Sequence, residues 1–263
     1  MRPSPLAAAV AILSMVTLVI ALSPLLEASP GAMERILVEH RFRRAILLSL
    51  VTASISAGIA VSLATPLSYY ISRRRGVLAR LVSSLHLLFL GFPPVGLGIS
   101  LLIALRRLPL VSSLSEELGL LFSVKAIIIA QTTIVAPLAV SLLTNVFSYI
   151  PSTIDELAKM YGAGELYKFT RVVLRIAAPG IAGAWVLSFF RALGEFGATL
   201  VLAGNTPGYT ETLPIAMYNM ISLADVGTAA SLLLLTVVLG VTLILIYSML
   251  QSVLERRIEP LRL

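Results

Sequence analysis

Six mostly apolar stretches, near 6–26, 45–71, 81–105, 124–149, 180–203 and 227–251, set the first limit on this chain. Each is long enough to cross the hydrocarbon core of a bilayer, which takes about 20 residues of helix. Lipid offers a backbone amide no water, so such a segment must satisfy its own N–H and C=O groups as an α-helix. Composition agrees: 58% of the residues are hydrophobic, 13% are charged and mean hydropathy is +0.97, far from a soluble balance. The expected fold is all-α, a polytopic membrane protein with six transmembrane helices. Arg2 precedes the first run, as in a secretory signal. Its roughly 20 apolar residues exceed the usual 7–15 of a signal core, so it reads as a retained span. No repeat, low-complexity tract or linker divides the chain.

Charge sets the orientation. With both termini inside, the cytoplasmic segments hold Arg2, Arg73, Arg74, Arg75, Arg80, Lys159, Lys168, Arg171, Arg175, Arg256, Arg257 and Arg262, twelve basic residues. The outer segments hold seven: Arg35, Arg41, Arg43, Arg44, Arg106, Arg107 and Lys125. Basic residues favour the cytoplasmic side, so the termini and the 152–179 segment are expected there. The cluster at 41–44 runs against the trend, but it abuts a span and long side chains can snorkel. The net charge of +7 is therefore topological. Membrane lipid is an expected partner and nucleic acid is not. Cysteine is absent, and neither His40 nor His86 has a metal-ligand neighbour at helical spacing, so no metal site is expected.

The longest polar interruption runs from Ser152 to Pro179. Ser152 with Asp155, and Thr153 with Glu156, read as capping boxes that open a helix. Ile154, Leu157, Ala158 and Tyr161 then form an apolar stripe. Asp155 and Lys159 are spaced to pair at i, i+4. Gly162 and Gly164 suit the positive φ that ends a helix. A second helix is expected over Glu165–Ala178, with Lys168, Arg171 and Arg175 on one side and Pro179 entering the next span. The product is a docking knob between two spans.

Three spans carry polar features. Gly91–Gly98 reads GFPPVGLG; Pro93 and Pro94 remove two donors and break the ladder, giving either a simple kink or a broken helix lining a pathway. The fifth run places Ser188, Arg191, Glu195 and Thr199 at spacings of 3, 4 and 4. Charges inside a membrane pair or face water, so Arg191 and Glu195 form either a structural ion pair or part of a transport route. Gln131, Thr132, Thr133 and Pro137 form a weaker polar set, suited to bonding neighbouring helices. Beyond the fifth run, Gly204–Thr210 (GNTPGYT) is a turn-rich outer loop.

Glu156, Ala158, Gly162 and Pro179 reproduce the E-x-A-x3-G pattern with a terminal proline that marks the cytoplasmic "EAA" loop of ABC importer permeases, and the chain resembles that family. Leu157 departs from it, standing where alanine is usual. Arg191–Tyr218 is similar to the molybdate/tungstate branch and less so to sulfate permeases. Thr65–Gly76 resembles the end of the family's second span. The likeness covers roughly residues 45 to 250. It implies an N-terminal helix and outer loop at 1–44 and a type I permease core at 45–251 with its coupling loop at 150–179. A cytoplasmic tail at 252–263 completes the division.

By the same resemblance, Glu156, Leu157, Ala158, Tyr161, Gly162 and Pro179 couple the chain to an ATPase. Pro93, Pro94, Ser188, Arg191, Glu195 and Thr199 flank a translocation pathway, and Asn205, Pro207 and Gly208 dock an extracytoplasmic solute-binding protein. A permease homodimer above two ATPase subunits is implied. The three lysines follow Val124, Ala158 and Tyr167, so none completes a P-loop; ATP and Mg are expected on the partner, with no cofactor or catalytic residue here. The implied activity is oxyanion import, molybdate or tungstate first, sulfate second. A secondary transporter or channel needing no ATPase is the rival class.

Overall fold

A computed structural model describes residues 5–74 and 76–258, and among them the regular structure is helical throughout. Twelve helices are distinguished: α1 (Pro5–Leu22), α2 (Pro30–Val38), α3 (His40–Arg73), α4 (Val77–Gly91), α5 (Pro94–Arg107), α6 (Pro109–Glu117), α7 (Val124–Ser148), α8 (Ser152–Met160), α9 (Glu165–Leu193), α10 (Gly197–Ala203), α11 (Leu213–Ser222) and α12 (Val226–Ile258). Five helices are long and apolar enough to span a membrane, and the bent pair α4–α5 supplies a sixth run. Arg2, Arg75 and Arg262, which entered the charge count, lie outside the described residues, as do residues 259–263 of the expected tail.

The centre of the bundle is the seam between α3 and α7, with α9 against both. The sequence of α3 explains the closeness of that seam. Ser49, Ala53, Ser56, Ala57, Ala60, Ala64 and Ser68 recur every three or four residues and are buried. Small side chains let helix backbones approach in lipid, where association rests on packing and hydrogen bonds. The bonds are present: the Ser68 hydroxyl donates to the Val140 carbonyl at 3.1 Å, and Ser56 donates to Gln131 Oε1 at 3.1 Å. The Gln131 amide in turn donates to the Ala192 carbonyl at 3.1 Å, tying α3, α7 and α9 at one point. Thr133 bonds the Ile129 carbonyl within its own helix. By contrast, α1 leaves residues 9–20 exposed, an apolar surface that meets lipid.

Two expected boundaries are corrected. The fifth span is not 180–203: it begins at Glu165, passes through a π-helical turn at Lys168–Val173 and ends at Leu193. Pro179 thus sits inside α9 rather than at its mouth. The helix stops at Leu193 with Gly194 following, and Glu195 turns its carboxylate onto the next element, Oε1 accepting from the Ala198 N–H at 2.8 Å. That bond satisfies one of the free donors at the start of α10.

At the end of the bundle opposite α8, acids accompany the basic residues. Arg35 pairs with Asp225 at 2.9 Å and with Glu39 at 2.6 Å, and Arg41 donates from Nε to Glu211 at 2.7 Å. Asp225 also caps α12, accepting from the N–H and hydroxyl of Thr228. Those bonds to Thr228, with the Arg35 charge beside them, hold its carboxyl below the ordinary aspartate value.

α5 and α10 cross with backbone against backbone. A Cβ on Gly98 would stand 2.8 Å from Ala198 Cα, and one on Gly197 would stand 2.8 Å from Val95 Cγ2. Backbone cannot yield as a side chain can. Gly98→Ala should therefore destabilise the purified protein by about 1–3 kcal/mol through overpacking. Gly96→Ala, whose Cβ would meet only Pro93 atoms at 4.0 Å, should be neutral or slightly stabilising. Thermal unfolding in detergent compares the two.

Candidate functional site

α8 opens at Pro151, and the capping boxes expected at Ser152 and Thr153 do not form. Asp155 is engaged elsewhere. Its Oδ1 accepts from the Tyr69 hydroxyl at 2.8 Å, its Oδ2 lies 2.7 Å from Arg73 Nε, and Lys168 Nζ stands 3.4 Å away. Lys168 is buried and also pairs with Glu165 at 2.8 Å. The expected Asp155–Lys159 pair is accordingly replaced, Lys159 lying 3.4 Å from Glu165 instead. Arg73 extends the hub by donating to the Ile150 carbonyl at 2.9 Å, just past the end of α7. Tyr69 packs its ring against Phe147 and Phe169 at centroid distances of 5.6 and 5.0 Å. One carboxylate thus joins α8 to α3 and α9, and through Arg73 to the end of α7.

The apolar stripe of α8 divides in two. Ile154 packs on the core and Ala158 is half-buried, while Leu157 and Tyr161 are exposed. Met160, Leu166, Tyr167 and Tyr149 join them to make an exposed apolar tip. Glu156 is also exposed. Gly162 takes the left-handed turn at φ +77°, but Gly164 does not, at φ −66°. The knob therefore turns on one glycine. Pro179, expected as its last residue, lies well up α9 and is half-buried.

The double proline breaks the third run outright. α4 ends at Gly91, α5 starts at Pro94, and the two diverge by 114°. Proline at the first position of a helix loses nothing, since that N–H has no intrahelical partner. Beside the break, Phe89, Phe92, Leu97, Ile134, Leu138 and Arg191 line a chamber of about 120 Å³. Phe89 and Phe92 stack at 5.7 Å. Arg191 donates to Glu195 Oε2 at 3.0 Å; Glu195 is buried, whereas the Arg191 side chain keeps 39% of its surface. Ser188 and Thr199 do not line this chamber; each is buried with its hydroxyl unpartnered. The four residues expected on one polar stripe are split because α9 ends before Glu195 and Thr199 belongs to α10.

In the Gly204–Thr210 loop, Asn205 and Asn219 exchange side-chain hydrogen bonds at 2.7 and 3.0 Å. Pro207 is exposed and Gly208 adopts φ +72°. Sequence reasoning missed Tyr69 and Arg73. Tyr69 meets Asp155 across 86 positions, and no local pattern signals such a contact.

A family model described as "Binding-protein-dependent transport system inner membrane component" matches residues 64–260. The chain is 39% identical over 204 residues to the molybdenum transport system permease protein ModB of Mycobacterium tuberculosis, covering 75% of this chain and 77% of that protein. It is 29% identical over 218 residues to ModB of Escherichia coli K12, covering 81% and 95%. Among solved structures, the MetNI methionine ABC transporter in inward-facing conformations superposes with a TM-score of 0.60 at 20% identity, covering 82% of this chain and 94% of that one. A bacterial ABC transporter that imports alginate gives 0.58 at 16% identity, covering 96% and 99%. These two establish the fold alone.

Removing the hub carboxylate leaves Arg73 and Lys168 charged without their shared partner. Asp155→Ala should cost about 2–4 kcal/mol, somewhat under the range for a fully buried pair because water still reaches its edge. Lys159→Ala, at an exposed pair, should stay within about 0.5 kcal/mol. Thermal unfolding reads both, and limited proteolysis at the α8 turn reports loosening of the knob.

Proposed function

The chain belongs to the family of binding-protein-dependent transport system inner membrane components, and we propose on that premise that it is the moving membrane element of an ATP-driven molybdate importer. It is a permease subunit of an ABC transporter and a multi-pass protein of the cell membrane. The likeness to molybdenum transport permeases over three quarters of the chain carries the choice of cargo. Tungstate has the same shape and charge and falls under the same reading.

Both termini and α8 face the cytoplasm, an orientation supported by the excess of basic residues on that side. The exposed tip of α8, with Glu156, Leu157, Ala158, Tyr161 and Gly162, seats in a groove of a separate ATPase subunit that binds ATP and Mg. Apolar side chains left in water beside a rigid anchor are the mark of a docking surface. At the other end, Asn205, Pro207 and Gly208 receive a solute-binding protein that delivers the anion. A second copy of the chain, with a second ATPase, completes a pathway along the broken α4–α5 pair.

Pro93 and Pro94 shape that pathway, and Arg191 supplies its charge. A lone cation at mid-membrane would cost about 2.5–3.5 kcal/mol, and Glu195 offsets this. Glu195 divides its carboxylate between Arg191 and the Ala198 N–H, so it holds Arg191 in place. The remaining guanidinium donors are available to an oxyanion. Movement of α8 on ATP binding passes through the Asp155 hub to α3 and α9 and opens the chamber alternately to the two sides. Pro179 lies within α9, where it softens the helix through which that motion travels.

The test is molybdate uptake by the reconstituted transporter with its ATPase and binding protein. Leu157→Asp should release the ATPase on purification and abolish uptake, and Gly162→Pro should do the same because proline cannot adopt φ +77°. Full ATPase retention and unchanged uptake in both variants would overturn the docking reading. Uptake that competing tungstate fails to reduce would overturn the choice of cargo.

A further inference from the structure

A second chamber, of about 200 Å³, lies between α4 and α7, displaced from Arg191 toward the end of α7 that leads into α8. Its lining includes Ser83 and His86 from α4 and Ser141, Thr144 and Asn145 from α7. The two chambers follow one another along the same helix faces. On α7, Ile134 and Leu138 border the Arg191 chamber, and Ser141 and Asn145 continue that face at steps of three and four. On α4, Leu90 borders the first chamber and His86, Leu87 and Ser83 the second. At 1.5 Å of rise per residue the centres are roughly 10 Å apart along α7.

The chemistry changes between them. The first chamber is aromatic and aliphatic around a single arginine; the second offers hydrogen-bond donors and no carboxylate. The Ser83 and Ser141 hydroxyls and the Asn145 amide make no hydrogen bond to other described residues, so their protons remain available. Thr144 differs, donating to the Val140 carbonyl at 2.7 Å. His86 Nδ1 lies 2.8 Å from the Val82 carbonyl, which can only accept, so Nδ1 carries a proton and Nε2 is left over. Where Nε2 also carries a proton, it can donate to an oxyanion. The charged residues that neighbouring elements carry toward this end are Arg80 of α4, Arg73 and Arg74 of α3, and Asp155 of α8, which pairs with Arg73. α7 has no charged residue after Lys125.

We propose that this chamber is a transit site for the tetrahedral oxyanion on the inward side of the Arg191 chamber, with Ser83, His86, Ser141 and Asn145 as its donors. The inference rests on the importer reading above. Its volume, about 200 Å³, is many times the ~10–15 Å³ that one water requires, so it has room for more than a single water. Ser83, His86 and Ser141 are half-buried and Asn145 is exposed, so their polar groups stand open to an anion that supplies the acceptor. Two sites in sequence, neither of them tight, are what release demands.

The chain has no cysteine, so Thr144→Cys places a single thiol on the chamber wall without a donor being lost to the anion. In the assembled transporter in nanodiscs, the rate of labelling by a membrane-impermeant methanethiosulfonate is measured in sodium tungstate and in sodium chloride of equal ionic strength. Labelling is expected, slowed several-fold by tungstate. Adding His86→Leu should leave labelling intact and abolish the protection, while His86→Gln, which keeps a donor, should retain part of it. An unreactive thiol, equal rates in the two salts, or full protection in the His86→Leu variant would overturn the proposal. Molybdate uptake by the unsubstituted transporter separates the two readings. Uptake without protection removes the chamber alone, and absent uptake removes the importer assignment.

Discussion

Everything in the mechanical design depends on where one carboxylate is held. Asp155 stands on the shortest element of the knob, yet its partners come from two spans: Tyr69 and Arg73 of α3, and Lys168 of α9. Arg73 carries the connection on to the carbonyl of Ile150 beyond α7. Taking four charged or polar groups partly out of water is unfavourable, and mutual hydrogen bonding recovers the loss only in a narrow range of geometries. Such a hub adds little to stability compared with an apolar substitute. Its consequence is positional, because α8 cannot tilt without carrying the spans that hold it.

That constraint links the knob to the pathway. α3 and α7 share a seam of small residues close enough for Ser68 and Ser56 to bond across it, so displacement of one is displacement of both. Gln131 extends the same rigidity to α9 at Ala192, one residue from the end of that helix and directly beside Arg191 in sequence. The Arg191 guanidinium is therefore positioned by the helix to which the Asp155 hub ties α8. The break at Pro93 and Pro94 gives the opposite property, a discontinuity where two helix halves diverge by 114°.

Much of this was legible before any coordinates. Apolar run length fixed the helical spans, because lipid leaves the backbone no other way to satisfy its donors. The double proline announced its break, and the Arg191–Glu195 spacing announced its ion pair. What misled was local pattern read without tertiary competition. Asp155 satisfies every rule for capping or for pairing with Lys159, and it does neither, because Tyr69 and Arg73 reach it from far away in sequence. Pro179 looks like a boundary, but the helix runs through it from Glu165. Glu195 continues a polar stripe on paper, yet the helix the stripe assumed ends at Leu193 and the Glu195 carboxylate captures the N–H of Ala198. The His86 chamber carries no sequence signal, since its two walls meet only when α4 folds against α7.

A rigid lever makes a direct demand on distances within one chain. In the cysteine-free background, spin labels at Met160 on the exposed tip and Leu187 on the exposed face of α9 can be measured in the assembled transporter with and without a non-hydrolysable ATP analogue. Transmission through the Asp155 hub requires the intrachain separation to stay the same while distances between the two copies change. An intrachain shift of several ångströms on nucleotide binding would mean that the knob swings on a hinge, and the hub would not be the element that moves the spans.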